Sequence, residues 1–239
     1  MEGPQAVAEG LPFLQRLFTG PEHGRDDIVA AAHEAGVEVL AVSDAVLAEL
    51  ATTVTPQPLV GVAVLPPASL DAVVAEARLL VVLDQVRDPG NVGTALRTAD
   101  AAGADAVILS RGSVDPRNPK AVRSSVGSLF HLPIVDNVTF SEIAAACRAH
   151  GIRLVATAAD AELEYTAADL AGRVAIVLGN EAHGLPAHVQ NTCDLRVRVP
   201  LHTAARPGFT GSAESLNLAA TVAVLAFEAV RQRGSDLAR

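Results

Sequence analysis

Five short apolar runs, separated by turns and helical segments, constrain the fold of this chain more than any other feature. Continuous apolar runs of this length are typical of strands that are buried on both faces. Their alternation with helices predicts an α/β fold built on a parallel sheet. Ligands of such sheets bind outside the carboxyl ends of the strands. The runs are LLVVLD (79–84), AVILS (106–110), RLVATA (153–158), VAIVLG (174–179) and LRVRVP (195–200).

The first 66 residues have a shorter alternation and predict a small α/β domain of their own. Helical patterns at 24–36 and 44–51 alternate with strand patterns at 37–43 and 59–65. Pro66 and Pro67 then interrupt the chain, and a short helix is expected at 70–78. We therefore predict a small domain at 1–66, a linker at 67–78 and the parallel-sheet domain at 79–239.

The net charge of −9 argues at first against a nucleic-acid partner, because phosphate contacts supply most of that affinity. Most of the negative charge, however, lies in residues 1–78, which contain 3 basic and 11 acidic residues. Of the 18 basic residues in the chain, 17 are Arg, the side chain suited to bidentate phosphate contact. The parallel-sheet domain therefore stays compatible with a nucleic-acid partner.

The sequence also indicates in which cellular compartment the protein is expected. The longest nearly apolar run (216–227) is much shorter than the roughly 20 residues that cross a bilayer, and no signal peptide is visible, so we expect no membrane association. Cys147 and Cys193 lie far apart and fit neither a disulfide framework nor a zinc site. We interpret both as small buried hydrophobic residues and expect a reducing cytoplasm and no metal.

The first loop at a strand end, DPGNVGTALRTAD (88–100), has the outline of a phosphate-binding turn. It lacks the three glycines of a dinucleotide fingerprint and the Gly-Lys-Ser/Thr of a P-loop. Arg97 follows Gly93 by one helical turn, so its side chain is expected near the helix N-terminus, where an anion would also bind. By itself the loop is equally compatible with a structural turn that carries a solvated Arg.

Two later stretches also place polar groups at strand ends. LGNEAHGLP (178–186) brackets Asn180, Glu181 and His183 with glycines, and His183 has no partners at metal-ligand spacing. In the stretch 208–233, Ser212 or Ala213 is expected to begin a helix with Glu214 and Ser215 in its first turn. That helix is apolar around most of its circumference, which predicts burial against a second copy of the chain.

Together these stretches resemble the SpoU (TrmH-like) family of RNA ribose 2′-O-methyltransferases, within the knotted SPOUT class. The first family motif matches Asn91, Gly93 and Arg97, the second matches 179–181, and the third matches 214–217. The stretch 118–133 is similar to the segment between motifs, and the match covers roughly 160 residues in order. The N-terminal part resembles the small substrate-binding domain, similar to a ribosomal-protein fold, that many members carry.

The resemblance implies a deep C-terminal trefoil knot, an exception to the rule that chains avoid threading, and S-adenosylmethionine as methyl donor. It also implies a homodimer formed through the C-terminal helix, and ribosomal or transfer RNA as substrate. The donor would be held by Gly179, Asn180, Val199, Leu201 and Leu216. Catalysis would involve Arg97, Asn91, Glu181, Ser215 and Asn217. RNA phosphates are expected at Arg87, Arg97, Arg117, Lys120 and Arg123.

The chain departs from the family pattern in one place. The loop 201–210 is longer than is usual, and it begins beside the expected adenosine pocket. It is interpreted as a lid, as an RNA contact through His202 and Arg206, or as a segment that alters the pocket near Leu201. Two other functions stay open on sequence grounds: a non-catalytic RNA-binding relative with the same fold, and a nucleotide-dependent α/β enzyme.

Overall fold

A computed structural model describes residues 1–22, 24–51, 53, 55–65, 67–202 and 213–234. The N-terminal part contains a three-stranded sheet in which β1 lies between β2, which is parallel to it, and β3, which is antiparallel. Strand β1 and helix α1 were not predicted from the sequence, whereas the other elements were. The elements are α1 (Pro4–Glu9), β1 (Leu14–Thr19), α2 (Asp26–Glu34), β2 (Glu38–Ala41), α3 (Asp44–Leu50) and β3 (Leu59–Ala63).

After helix α4 (Leu70–Glu76) the chain builds a seven-stranded sheet whose strand pairs are all parallel, which confirms the predicted fold class. The strands are β4 (Leu79–Leu83), β5 (Ala106–Ser110), β6 (Ile134–Val138), β7 (Arg153–Thr157), β8 (Leu163–Glu164), β9 (Val174–Leu178) and β10 (Leu195–Arg198). Their order across the sheet is β6-β5-β4-β9-β7-β10-β8. The carboxyl ends of β4, β9 and β7 are therefore neighbours at one edge.

Helices cover both faces of this sheet. They are α5 (Pro89–Ala101), α6 (Pro119–Ser125), α7 (Phe140–Ala149), α8 (Ala187–Thr192) and α9 (Leu218–Gln232). Successive side chains of β4 point to opposite faces: Leu79 and Val81 pack with α5, α6 and α9, whereas Leu80 and Val82 pack with α4 and α7. Burial on both faces explains why the sequence of these strands is apolar without alternation.

Helix α9 begins later than the sequence suggested. Residues 213–217 are not helical, and Ser212 lies outside the described residues. Asn217 is the N-cap, because its Oδ1 accepts hydrogen bonds from the backbone amides of Ala219 at 2.9 Å and Ala220 at 3.3 Å. An Asn in this position satisfies amides that have no partner inside the helix. The predicted start at Ser212 or Ala213 is therefore wrong, and Ser215 precedes the helix.

The N-terminal part is joined to the larger sheet by an aromatic stack and by a bridging histidine. The rings of Phe13 and Phe130 are stacked with centroids 5.7 Å apart. The two ring nitrogens of His131 contact Asp100 in α5 at 2.7 Å and Glu9 in α1 at 3.2 Å. No helix within the described residues is long and apolar enough to cross a membrane.

Candidate active site

A cleft of about 700 Å³ lies at the carboxyl ends of β9 and β7. Its walls are the segments 157–160, 178–185 and 215–218, together with Asn91 and Thr221. The second and third predicted motifs thus meet in one cleft, and the first motif reaches it through Asn91. A cleft in this position is where the ligand of a parallel sheet is expected.

The loop that follows β9 forms a tight hairpin against itself. The backbone amide of Gly184 donates to the carbonyl of Asn180 at 2.8 Å, and Gly184 has a φ of 65°. A Cβ on Gly179 would lie only 2.3 Å from the carbonyl carbon of Gly184. Gly179 is therefore required by a backbone crossing, and a side chain there would open the loop that walls the cleft.

Asn180 fastens this hairpin to the loop after β4. Its Nδ2 donates to the carbonyl oxygen of Gln85 at 2.9 Å, and its Oδ1 accepts from the amide of Ala182 at 2.9 Å. His183 Nδ1 lies 3.4 Å from the same Oδ1. Asn180 thus holds two strand ends together, because both ends of its amide are used in backbone contacts.

Three side chains from the three motifs form a hydrogen-bonded chain at the edge of the cleft. Asn217 Nδ2 donates to Asn91 Oδ1 at 2.9 Å, and Asn91 Nδ2 donates to Glu181 Oε1 at 3.0 Å. The backbone amides of Arg87 and Asp88 also donate to the Glu181 carboxylate, at 3.4 and 3.3 Å. Each amide orientation in this chain is set by its neighbour, so the three groups act as one rigid unit.

The carboxyl of Glu181 is held in its ionised form. Burial alone would raise the pKa of Glu181, but hydrogen bonds from Asn91 Nδ2 and from the amides of Glu181, Arg87 and Asp88 outweigh burial and lower it. An ionised carboxylate accepts hydrogen bonds but donates none. Asn91 must therefore point its NH₂ group at Glu181 and its oxygen at Asn217.

Some of the other predicted site residues line the cleft, and some do not. Ser215 and Leu216 are exposed and line the cleft beside Asn217. Val199 and Leu201 are half-buried beyond the end of β10 and do not belong to the described lining, and His202 is exposed. Arg206 and the rest of the stretch 203–212 lie outside the described residues.

Arg97 is exposed on α5, does not belong to the described lining, and has no hydrogen-bond or ion-pair partner among the described residues. It follows Asn91 by six residues, which on a helix is about 120° around the axis and about 9 Å along it. The two side chains therefore leave α5 on different faces.

The basic positions expected to contact RNA are all exposed, and Arg117 and Lys120 have acidic partners. Arg117 forms ion pairs with Asp115 at 3.2 Å and with Asp136, and Lys120 pairs with Asp88 at 3.2 Å. Ion pairs between groups this exposed contribute little net stability, so phosphate can compete for these cations.

Sequence reasoning missed the wall of the cleft formed by 157–160 and by Gln190. The segment 157–160 ends β7, which was predicted as a strand, but only the strand order shows that β7 lies next to β9. Among the described residues, no group of His, Cys, Asp and Glu is arranged to hold a metal ion.

The fold and the cleft together define a parallel-sheet α/β protein with a ligand site at the carboxyl edge of its sheet. The model of the SpoU rRNA methylase family matches residues 78–227, so the chain belongs to that family. This confirms the resemblance inferred from the three motifs.

Two curated relatives and one solved structure place the chain within this family. The chain is 36% identical to the 23S rRNA (guanosine(2553)-2′-O)-methyltransferase RlmP of Bacillus subtilis, over 95% of this chain and 86% of the relative. It is 34% identical to a 23S rRNA (uridine(2479)-2′-O)-methyltransferase of Streptomyces viridochromogenes, over 95% of this chain and 79% of the relative. An AdoMet-bound rRNA methyltransferase from Sinorhizobium meliloti superimposes with a TM-score of 0.83 at 32% identity, covering 97% of this chain and 86% of that one.

Proposed function

We propose that this chain transfers the methyl group of S-adenosylmethionine to a ribose 2′-hydroxyl of RNA. The observation that carries the proposal is the chain Asn217–Asn91–Glu181, which joins the three family motifs at one cleft. The relatives are named for 23S rRNA, which favours ribosomal over transfer RNA. Retention of this polar chain disfavours a non-catalytic RNA-binding relative, and the missing phosphate loop disfavours a nucleotide-dependent α/β enzyme.

S-adenosylmethionine fits the cleft at the ends of β9 and β7. The cleft volume of about 700 Å³ is in the range of cofactor sites, and its lining combines the backbone of 178–185 with the apolar Leu178, Leu216 and Leu218. Gly179, Asn180 and Leu216 would hold the donor, and Val199 and Leu201 would extend the pocket from the end of β10. When bound, the donor supplies an electrophilic methyl group on a sulfonium.

The polar chain is a positioning device. Methyl transfer requires the ribose hydroxyl in line with the methyl group, and holding two reactants in attack geometry can lower the barrier by several kcal/mol. Asn91, Glu181, Ser215 and Asn217 hold the ribose, with the ionised Glu181 fixing the orientation of both amides. Arg97 binds an RNA phosphate and orients the hydroxyl. A guanidinium is effectively always protonated, so we do not assign Arg97 as the base.

Arg97 reaches a reaction site in a homodimer. Because it leaves α5 on a different face from Asn91, we assign it to the cleft of a second copy. Helix α9 provides the contact: Phe227 is 45% exposed, and an apolar strip follows it along the outer side of the helix. A strip that faces the same strip of a second copy gives a closed two-fold dimer. The strip comprises Ala220, Ala223, Val224, Phe227 and Val230.

The domain division, the knot, the RNA-binding positions and the cellular location are also part of this proposal. Residues 79–239 form the methyltransferase domain with a deep trefoil knot, 67–78 the linker, and 1–66 the substrate-binding domain. The separate three-stranded sheet and its own apolar core support this division. The return of α9 to pack on α5 after β10 supports the knot. RNA phosphates bind at Arg87, Arg117, Lys120 and Arg123, and the enzyme works in the cytoplasm, where its RNA is.

Substitution of Arg97 tests the function. Arg97→Ala should abolish transfer of labelled methyl groups to ribosomal RNA from a strain lacking the gene, whereas calorimetry should give nearly unchanged affinity for S-adenosylmethionine. Arg153→Ala, at the opposite end of the sheet, is the matched control and should keep full activity. Retained turnover in Arg97→Ala would remove Arg97 from the mechanism, and absence of donor binding in the unsubstituted chain would overturn the proposed function.

Mapping of ribose methylation identifies the substrate. Ribosomal and transfer RNA from cells with and without the gene should differ at a 2′-O-methylated nucleotide. Binding of that RNA should weaken steeply with rising salt, because the contacts are made by phosphate-binding cations. Salt-insensitive binding would contradict the assignment of the basic positions.

A further inference from the structure

A second cleft, of about 460 Å³, opens at the carboxyl ends of β4 and β5. Helices α7 and α8 form its other walls through Thr139, Arg148 and His188. Gln85 lines this cleft, and its carbonyl oxygen accepts the hydrogen bond from Asn180 that fastens the wall of the donor cleft. The Gln85–Asn180 hydrogen bond therefore links the walls of the two clefts.

The second cleft contains a buried carboxylate with one unused acceptor. Asp84 is only 2% exposed, and its Oδ1 accepts from the hydroxyl of Ser110 at 2.6 Å. Its Oδ2 is buried and has no hydrogen-bond partner among the described residues. A buried carboxylate oxygen without a donor is costly, and native proteins rarely leave one in this state. Asp84 is therefore suited to accept a hydrogen bond from a ligand.

The lining of the second cleft also contains two arginines. Arg111 and Arg148 are exposed side chains of this cleft, and Arg148 has no hydrogen-bond or ion-pair partner among the described residues. Arg111 lies near Glu142, but the Glu142 carboxylate is already used in the capping box of α7, where it accepts from Thr139. The cleft thus offers an acceptor at one place and guanidinium groups at another. A nucleotide has the complementary arrangement, with donors on its base and a negative phosphate.

We propose that this second cleft binds a guanine nucleotide of the substrate RNA, with the base edge on Asp84 and the phosphate on Arg111 and Arg148. Proteins recognise single-stranded RNA by hydrogen bonds to the base edges of unstacked nucleotides. Guanine alone presents two adjacent N–H donors, N1 and N2, on its Watson–Crick edge. Adenine, cytosine and uracil place an acceptor beside the donor, which a carboxylate repels. The cleft therefore selects guanine.

The position of the cleft gives the nucleotide a role in the reaction. This inference rests on the proposed function, because the donor cleft lies on the other side of the Gln85–Asn180 contact. A guanine held there fixes the RNA strand beside the ribose to be methylated. Since Asp84 Oδ2 is enclosed, the floor must shift for the base to reach it. Gln85, the next residue of the lining, has a φ of 53°, a conformation that is uncommon for a residue other than glycine.

Titration of the 239-residue chain with mononucleotides tests the inference without any RNA methylation. Calorimetry or NMR with 5′-GMP, 5′-AMP, 5′-CMP and 5′-UMP should give affinity for GMP at least ~10-fold above the other three, the discrimination expected of one bidentate base contact. Asp84→Asn replaces one acceptor by a donor and should remove this preference. Arg148→Ala changes an exposed residue and should weaken all four nucleotides by a similar factor, about 3-fold to 10-fold.

Two control substitutions test whether the effects on nucleotide binding are specific to the second cleft. Asp71→Asn and Arg153→Ala, which lie outside both clefts, should leave GMP binding unchanged. Equal binding of all four nucleotides, a GMP preference that survives Asp84→Asn, or unchanged nucleotide affinity in Arg148→Ala would overturn the inference. If the chain binds S-adenosylmethionine and methylates RNA but does not bind GMP, the inference fails and the proposed function stands. If GMP binds as expected but no methyl transfer occurs, the proposed function fails and the guanine site stands.

Discussion

Asn217 combines two tasks that are usually assigned to different residues. Its Oδ1 caps helix α9, and its Nδ2 donates to Asn91 in the motif chain. The start of the helix and the orientation of the active-site amides are therefore fixed by the same side chain. The two tasks use different atoms, so substitutions can separate them.

Substitution of Asn217 by Asp and by Ala separates the cap from the motif chain. Asn217→Asp keeps an acceptor for Ala219 and Ala220 and places negative charge at a helix N-terminus, so stability should be unchanged or slightly higher. It loses the donor to Asn91, so methyl transfer should fall sharply. Asn217→Ala loses both and should also lower the free energy of unfolding by about 1 kcal/mol. Urea denaturation and a methyl-transfer assay measure the two effects, and full activity in Asn217→Asp would contradict the role of the motif chain.

Helix α5 carries the first motif, and a glycine sets its distance from α6. A Cβ on Gly93 would lie 2.0 Å from Ser124 Oγ and 2.2 Å from the carbonyl oxygen of Ala121. The family residue Gly93 is thus explained by helix packing and not by phosphate contact. Asp88 caps α5 through the amide of Asn91 at 3.0 Å, and this cap fixes where Asn91 leaves the helix.

Gly93→Ala should push α5 away from α6. The Ala121 oxygen belongs to the backbone and cannot rotate aside, so we expect a loss of about 1–3 kcal/mol in the free energy of unfolding, the usual cost of overpacking. Gly172→Ala is the matched control, since its added Cβ would have the Arg153 guanidinium as its nearest neighbour at 3.6 Å. The control should change stability by less than about 0.5 kcal/mol. Equal stability of the two variants in urea denaturation would contradict the packing argument.

The elements that the sequence did not predict share a weak pattern. Strand β6 (IVDNV) contains Asp136 and Asn137, is only partly buried and has an irregular register with β5. Strand β1 (LQRLFT) exposes Gln15 and Arg16 on adjacent positions, which breaks the alternation expected of a half-buried strand. Strand β8 contains only two residues. Strands at a sheet edge, and strands with exposed and buried residues in irregular order, lack a continuous apolar run. Such a run made β4 and β9 predictable.

His131 makes the contact between the two parts of the molecule sensitive to pH. The hydrogen bond to Asp100 raises the pKa of His131, burial opposes this, and the hydrogen bond to Glu9 raises the pKa further. The folded-state pKa therefore exceeds the ordinary value of 6.5. The stabilisation is fully present below that value and is lost as the pH rises through the folded-state pKa.

Unfolding of the full chain at several pH values tests this contact. The stability difference between the unsubstituted chain and His131→Gln should shrink as the pH is raised from about 5.5 to about 8.5. The control Phe13→Leu removes the neighbouring aromatic stack without changing a titratable group, so its stability difference should change little with pH. A difference between the chain and His131→Gln that grows with pH would contradict the raised pKa.

The proposed dimer makes a prediction for the whole molecule. Phe227→Glu places a charge in the middle of the outer strip of α9 and should convert a dimer into a monomer in analytical ultracentrifugation. Because we propose that Arg97 acts in the cleft of the second copy, methyl transfer should be lost together with the dimer. Val64→Glu, which places the same charge on an exposed apolar residue of the N-terminal part, is the control and should leave the dimer intact. A monomeric unsubstituted chain, or an active Phe227→Glu monomer, would refute the shared site.

The local features of this protein can be predicted from its amino-acid sequence: the buried strands of the sheet centre, the glycine turns and the polar residues that follow them. Because these features depend on residues that are neighbours in sequence, a local sequence pattern can predict them. The contact between Asn217 and Asn91, 126 residues apart, and the position of Arg97 on another face of α5 became visible only in the folded structure. Strand order placed β9 between β4 and β7 and brought the motifs together. That order depends on packing between distant segments, which no local pattern encodes.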